Sequence, residues 1–212
     1  MELVATFFSK TLTFAVQMNE GKQQEFKIEI PKRFYSDAED KPFEHCQVCG
    51  KYLLDEGTSY VVEKAIRSYE GHDFYSTAYE YAICTDCHQE IQKAMSEESL
   101  MNLQKYYAGF VANKPPMFID MRTFDLDDWL SKCFFTGSEI KDMKEYQLVA
   151  QFNGNKLVMN MPPMVIGEKV IEEMAELLSN KTIDEMNGFR DKFLRPSPDI
   201  EEVVFGKPLI MI

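Results

Sequence analysis

Two short cysteine pairs constrain this chain more than any other feature. HCQVCG (residues 45–50) places Cys46 and Cys49 on one turn, and CTDCH (residues 84–88) places Cys84 and Cys87 on another, with 34 residues between the pairs. A C-x-x-C turn brings two thiolates to a separation at which they can share a metal, and two such turns complete a tetrahedral sulfur shell. A lone pair would fit a thioredoxin-like redox site equally well. Two pairs in a short acidic chain favour a structural zinc ion held by Cys46, Cys49, Cys84 and Cys87. Iron is the lesser alternative, because four thiolates do not separate the two metals by ligand type. Disulfides are disfavoured in a reducing compartment.

Local sequence adds geometry to that shell. Gly50 after Cys49 allows a positive φ, so that backbone amides can turn toward the sulfurs. YVVEKAI (60–66) and AYEYAIC (78–84) read as the two strands of a hairpin. In HQEIQKAM, Ile91, Ala94 and Met95 recur at helical spacing, so Cys84 and Cys87 fall at a helix start, where exposed amides and the dipole favour negative sulfur.

Knuckle, hairpin and a helix that supplies the last two ligands resemble a treble-clef zinc finger. Residues 45–95 resemble in particular the four-cysteine type of the HNH nuclease family, with its C-x-x-C-G, strand and C-x-x-C-H order. That resemblance implies a strand ending in a catalytic Asp-His pair and an Asn before the second cysteine pair. This chain has Glu63-Lys64 at the first place and no Asn in TAYEYAIC; only His88 matches. An ammonium is a poor general base near neutral pH and repels a divalent metal. His72-Asp73 lies in the hairpin loop, and His45 and His72 are expected at the surface. No catalytic residues are assigned.

The second half repeats the order of events. KCFFTG (132–137) lays Cys133 over Cys46, Thr136 over Cys49 and Gly137 over Gly50. YQLVAQF and KLVMNM flank Asn153-Gly154, a two-residue turn signal. Met161 and Met164 of MPPM take the C-x-x-C spacing, and GEKVIEEMAELLSN puts Val170, Ile171, Met174 and Leu177 on one helical face. Ser96 is expected to cap the helix that ends the first copy, and Thr182 with Glu185 to form a capping box in the second. Thioethers bind zinc poorly, so this copy is read as metal-free.

The expected fold class is α+β: an N-terminal β-hairpin and two treble-clef-like modules of knuckle, hairpin, helix and helix, the second without metal. The hairpin and a charged connector take residues 1–40, the zinc module 41–112, a linker with Pro115-Pro116 113–130, and the metal-free, duplicated module 131–212. Within 1–40, Leu12 to Ile30 alternate in polarity around Asn19-Glu20-Gly21. RPSPDI (195–200) marks a turn before an apolar tail.

Net charge is −12, split as −7 over residues 1–112 and −5 over 113–212, so neither half offers the basic surface that binding nucleic acid requires. The start of the chain lacks a basic leader, and no run approaches the ~20 apolar residues of a membrane span. A cytoplasmic protein with a structural zinc, acting through an unidentified protein partner, is the expected function. A divergent HNH-like metal-dependent nuclease and a zinc-thiolate redox switch are the alternatives.

Overall fold

The structure, a computed structural model, describes residues 28–68, 75–112, 119–120, 122–159 and 161–194. The expected hairpin over residues 11–30 lies outside them save for its last three residues, as do Pro115-Pro116, His72-Asp73 and the tail from 195 onward.

The fold is α+β, as its pattern of short β-branched runs followed by amphipathic segments predicts. Among the described residues, five strands form one antiparallel sheet: β1 (Ser59–Ser68), β2 (Tyr75–Cys84), β3 (Glu145–Asn153), β4 (Lys156–Leu157) and β5 (Met164–Gly167). The order is β2-β1-β3, and β4 and β5 follow one another along the free side of β3. Residues 41–112 and 131–212 therefore share a single sheet. Among the described residues, five α-helices accompany it: α1 (Thr85–Ala94), α2 (Glu97–Ala112), the short α3 (Leu126–Trp129), α4 (Glu168–Ala175) and α5 (Asn180–Phe193).

The join between the halves is the β1–β3 ladder, which runs from Ser59 opposite Asn153 to Arg67 opposite Glu145. Both strands are buried along most of their length, on both faces. One face meets the helices, where the Tyr81 ring packs edge-on against Phe189 of α5 at 6.1 Å. On the other face Tyr60 stacks on Phe152 at 5.4 Å and Phe34 closes over Phe152 at 5.6 Å. Phe34 and Phe152 are fully buried, and truncating either to Ala removes packing worth about 3–5 kcal/mol.

The helix caps meet between the halves. The Ser96 amide donates to Thr182 Oγ1 (2.9 Å), the Ser179 amide donates to Ser99 Oγ (2.8 Å), and the Ser96 and Ser179 hydroxyls share a 2.7 Å bond. Ser96 caps α2 by accepting from the Ser99 amide, as expected. At α5 the cap is Ser179, which accepts from the Thr182 amide, and not Thr182 itself. The helix opens one turn earlier than the T-x-x-E pattern suggests because Thr182 is spent on the contact with Ser96.

Packing on both faces leaves the middle of β1 no solvent side, and the strand carries two buried ionisable side chains. Lys64, 2% exposed, is satisfied by the Tyr35 carbonyl (2.6 Å), Asp37 (2.5 Å) and Glu80 (3.1 Å). Glu63, 1% exposed, faces the helices and accepts from the Tyr81 hydroxyl at 2.5 Å and, more weakly, Tyr79 at 3.4 Å. Burial pushes the Glu63 carboxyl up to about 8, against the downward pull of the Tyr81 and Tyr79 hydroxyls. Between the ordinary value of 4.5 and about 8, the folded protein holds a proton that the unfolded chain has released. Stability from this group is thus complete below the window and falls as pH rises through it, by on the order of 3–5 kcal/mol in total. Urea unfolding at pH 5 and pH 8 is expected to show that loss in the native protein and a clearly flatter dependence in Glu63→Gln.

Candidate metal centre

The first cysteine pair is held by a turn and the second by a helix start. In the turn, the Cys46 amide donates to the Lys51 carbonyl and the Gly50 amide to the Cys46 carbonyl, both at 2.8 Å, with Gly50 at φ +73°. The Gln47 amide donates to Ala82 on β2 at 3.0 Å, which pins the turn to the sheet edge. Cys84 is the last residue of β2 and the N-cap of α1, so Cys87 lies in the first turn of that helix. Thr85 Oγ1 ties the same point to the Ser59 carbonyl at 3.0 Å.

These elements bring the four sulfurs together: Cys46, Cys49, Cys84 and Cys87 each place Sγ within 4.8 Å of the other three. Cys49 and Cys84 are 3.7 Å apart, close to the ~3.8 Å edge of a tetrahedron with metal–sulfur bonds of about 2.3 Å. The donor set fits a metal ion, and it is the set read from the sequence. The Cys84 amide points at Cys46 Sγ from 3.4 Å. Burial works to raise the Cys46 thiol, yet the amides of Cys49, Cys84 and Val48 outweigh it and hold the thiol down at about 7. Cys87 is pushed the other way, by burial first and then by the neighbouring sulfurs. Sulfurs this close repel one another as thiolates, and a cation among them removes that conflict.

Among the described residues, His45 and His88 stand outside this arrangement. His45 is exposed and packs edge-on against Tyr52 at 5.4 Å, and His88 is half-buried on α1 beyond the sulfurs. Glu63 and Lys64, which stand where the nuclease pattern has Asp-His, are the buried side chains described above and present no free base or metal ligand to solvent.

The second half repeats the same backbone bonds. The Cys133 amide donates to the Ser138 carbonyl and the Gly137 amide to the Cys133 carbonyl, both at 2.8 Å, with Gly137 at φ +73°. The Phe134 amide donates to Val165 on β5 at 2.8 Å, and the Gly167 amide points at Cys133 Sγ from 3.4 Å. Gly167 also N-caps α4 and pairs with Tyr146, just as Cys84 N-caps α1 and pairs with Tyr60. The positions matching Cys84 and Cys87 are therefore Gly167 and Val170. Met161 and Met164, assigned there by spacing in the sequence, precede them, because β5 runs on past Met164 before the helix begins. A Cβ on Gly167 would lie 3.0 Å from Met143 Sδ, so the methionine fills the space beside Cys133. Nothing in KDMKE marked Met143 for this place; only the sheet register reveals it.

Cys84→Ser is expected to abolish metal binding, from about one ion per chain to none, and to lower the melting temperature by roughly 10 °C or more. Cys133→Ser should leave the metal content unchanged. Metal analysis by inductively coupled plasma mass spectrometry with thermal melts checks both.

No family model matches the chain, and no solved structure matches it. Among curated proteins it is similar to the type II methyltransferase M1.LlaDCHI of Lactococcus lactis subsp. cremoris, at 26% identity over 176 residues. The match takes in 76% of this chain, and the chain spans 60% of the length of that relative.

Proposed function

We propose that this protein uses a structural zinc ion to fix a small α+β scaffold and acts through contact with another protein. The observation that carries the proposal is the convergence of four sulfurs, two from a turn and two from a helix start, within 4.8 Å of one another. A shell of four protein sulfurs leaves no open position for water or substrate, which suits a shaping role and not a catalytic one. Zinc is preferred over iron on ligand count and spacing, two C-x-x-C turns closing a four-thiolate shell as structural zinc sites do. We further propose that the second half is a metal-free duplicate of the first, on the strength of the repeated turn, the repeated amide–sulfur contact and the reciprocal serine caps.

The nuclease reading has less support, since the residues at the Asp-His positions are enclosed. Methyl transfer is the activity named for the relative, and it is not adopted for this chain. The sheet is antiparallel among the described residues, and the sequence contains no G-x-G, the glycine pattern that brings a helix start against a nucleotide-bearing cofactor. Among the described residues, no helix is long and apolar enough to cross a membrane.

Purified protein is expected to show a zinc absorption edge, no nicking of supercoiled plasmid with magnesium, manganese or nickel, and zinc retention in mild peroxide. Cleavage lost in His88→Ala would establish the nuclease instead. Zinc release with thiol oxidation under peroxide would establish the redox switch.

A further inference from the structure

The repeat gives two corresponding grooves, and one of them is filled. Because each half's first helix lies beside the other half's second helix, the α4–α2 groove in the second half corresponds to the α1–α5 groove in the first. Residue by residue along the two turns, Phe135 of KCFFTG corresponds to Val48 of HCQVCG. The Phe135 ring fills its own groove, 4.6 Å from Phe110 and 5.7 Å from Tyr107, and the Tyr106 hydroxyl reaches across to Glu173 at 2.6 Å. Phe110 and Tyr106 on α2 correspond to Phe193 and Phe189 on α5, and Glu173 on α4 to Glu90 on α1.

Among the described residues, the valine leaves the α1–α5 groove as an open apolar cleft of about 570 Å³, walled by Val48, Cys87, Ile91, Met95, Phe189 and Phe193. Its rim carries the carboxylates Asp86, Glu90 and Glu185 against one cation, Lys192. Lys51 pairs with Asp86 and Lys93 with Glu90, but all four are largely exposed, and such pairs are weak and exchange readily. Lys192 Nζ lies 4.8 Å over the Phe193 ring, so the aromatic wall already accepts a cation.

We propose that this cleft binds an aromatic side chain presented by a basic segment of a separate protein. The ring seats against Val48 as the ring of Phe135 seats in the other groove, and flanking Lys or Arg side chains meet the acidic rim and the Phe193 face. Aromatic anchors in desolvated clefts with a charged rim are the usual energetic centres of protein contacts. The inference rests on the proposed contact function and on the repeat, and it names the surface and the partner chemistry.

The probe is a fluorescein-labelled nonapeptide of lysines and arginines around one central phenylalanine, titrated into the full, zinc-loaded chain and followed by anisotropy. Changing the central phenylalanine to alanine is expected to weaken binding about tenfold, a difference of ~1.4 kcal/mol. Val48→Phe, which refills the cleft from within and keeps the backbone amide that faces Cys46, should weaken it by a similar factor. Ala94→Trp should do the same from the opposite wall, and serves if Val48→Phe does not fold. No binding, equal binding of the alanine peptide, or equal binding to both filled variants overturns the proposal while zinc retention leaves the contact function standing. A protein without zinc overturns both. If Phe205→Ala in the full chain raises peptide affinity about tenfold, the occupant is this chain's own apolar segment and the separate partner is refuted.

Discussion

The antiparallel ladder between β1 and β3 makes one body out of two sets of elements. Neither hairpin could bury both its faces alone, since a two-stranded ribbon has too little surface to sustain itself in water. Laid side by side, the two central strands supply a continuous sheet for helices on one face and the Phe34 segment on the other. Everything that positions the sulfurs follows from that ladder. β2 is held against β1, Cys84 ends β2, and the knuckle is pinned to Ala82 on the same strand.

The two knuckles compare a cluster of four thiols with a packed site under nearly the same backbone. Both use a glycine at φ +73°, both point an amide at a cysteine sulfur from 3.4 Å, and both anchor to the outer strand. What differs is the filling. One site gathers four thiols, whereas the other has Cys133 with Gly167, Val170 and the thioether of Met143. A flexible, polarisable side chain suits an irregular gap, and the backbone geometry persists with apolar contact in place of coordination.

Much of this was legible in the chain itself. The clustering of the four cysteines, the hairpin strands and the helix start at Cys84 follow from spacing and from β-branched and helical periodicity, which are local signals. The second half's order of elements was legible for the same reason, because Gly137 and Asn153-Gly154 punctuate it as Gly50 punctuates the first. The errors arose where register decides. Spacing alone put Met161 and Met164 in place of cysteines, but strand pairing assigns Gly167 and Val170, since β5 begins after the proline pair and runs on to Gly167. Thr182 looked like a cap and is instead a partner to Ser96 from the other half, a contact across 86 residues that no local pattern encodes. Burial of Glu63 and Lys64 was likewise invisible, since a charged pair in a strand ordinarily signals solvent.

The crossed arrangement of the helices has a thermodynamic consequence. The helix that opens on Cys84 shares a groove with α5 from the opposite half, and α5 in turn is capped by a serine bonded to the cap of α2. An ion held by the four sulfurs would therefore stiffen a helix pair drawn from both halves. The two halves are coupled as a single cooperative unit rather than strung like beads, and occupancy of the sulfur site becomes a control on the order of residues that never touch it.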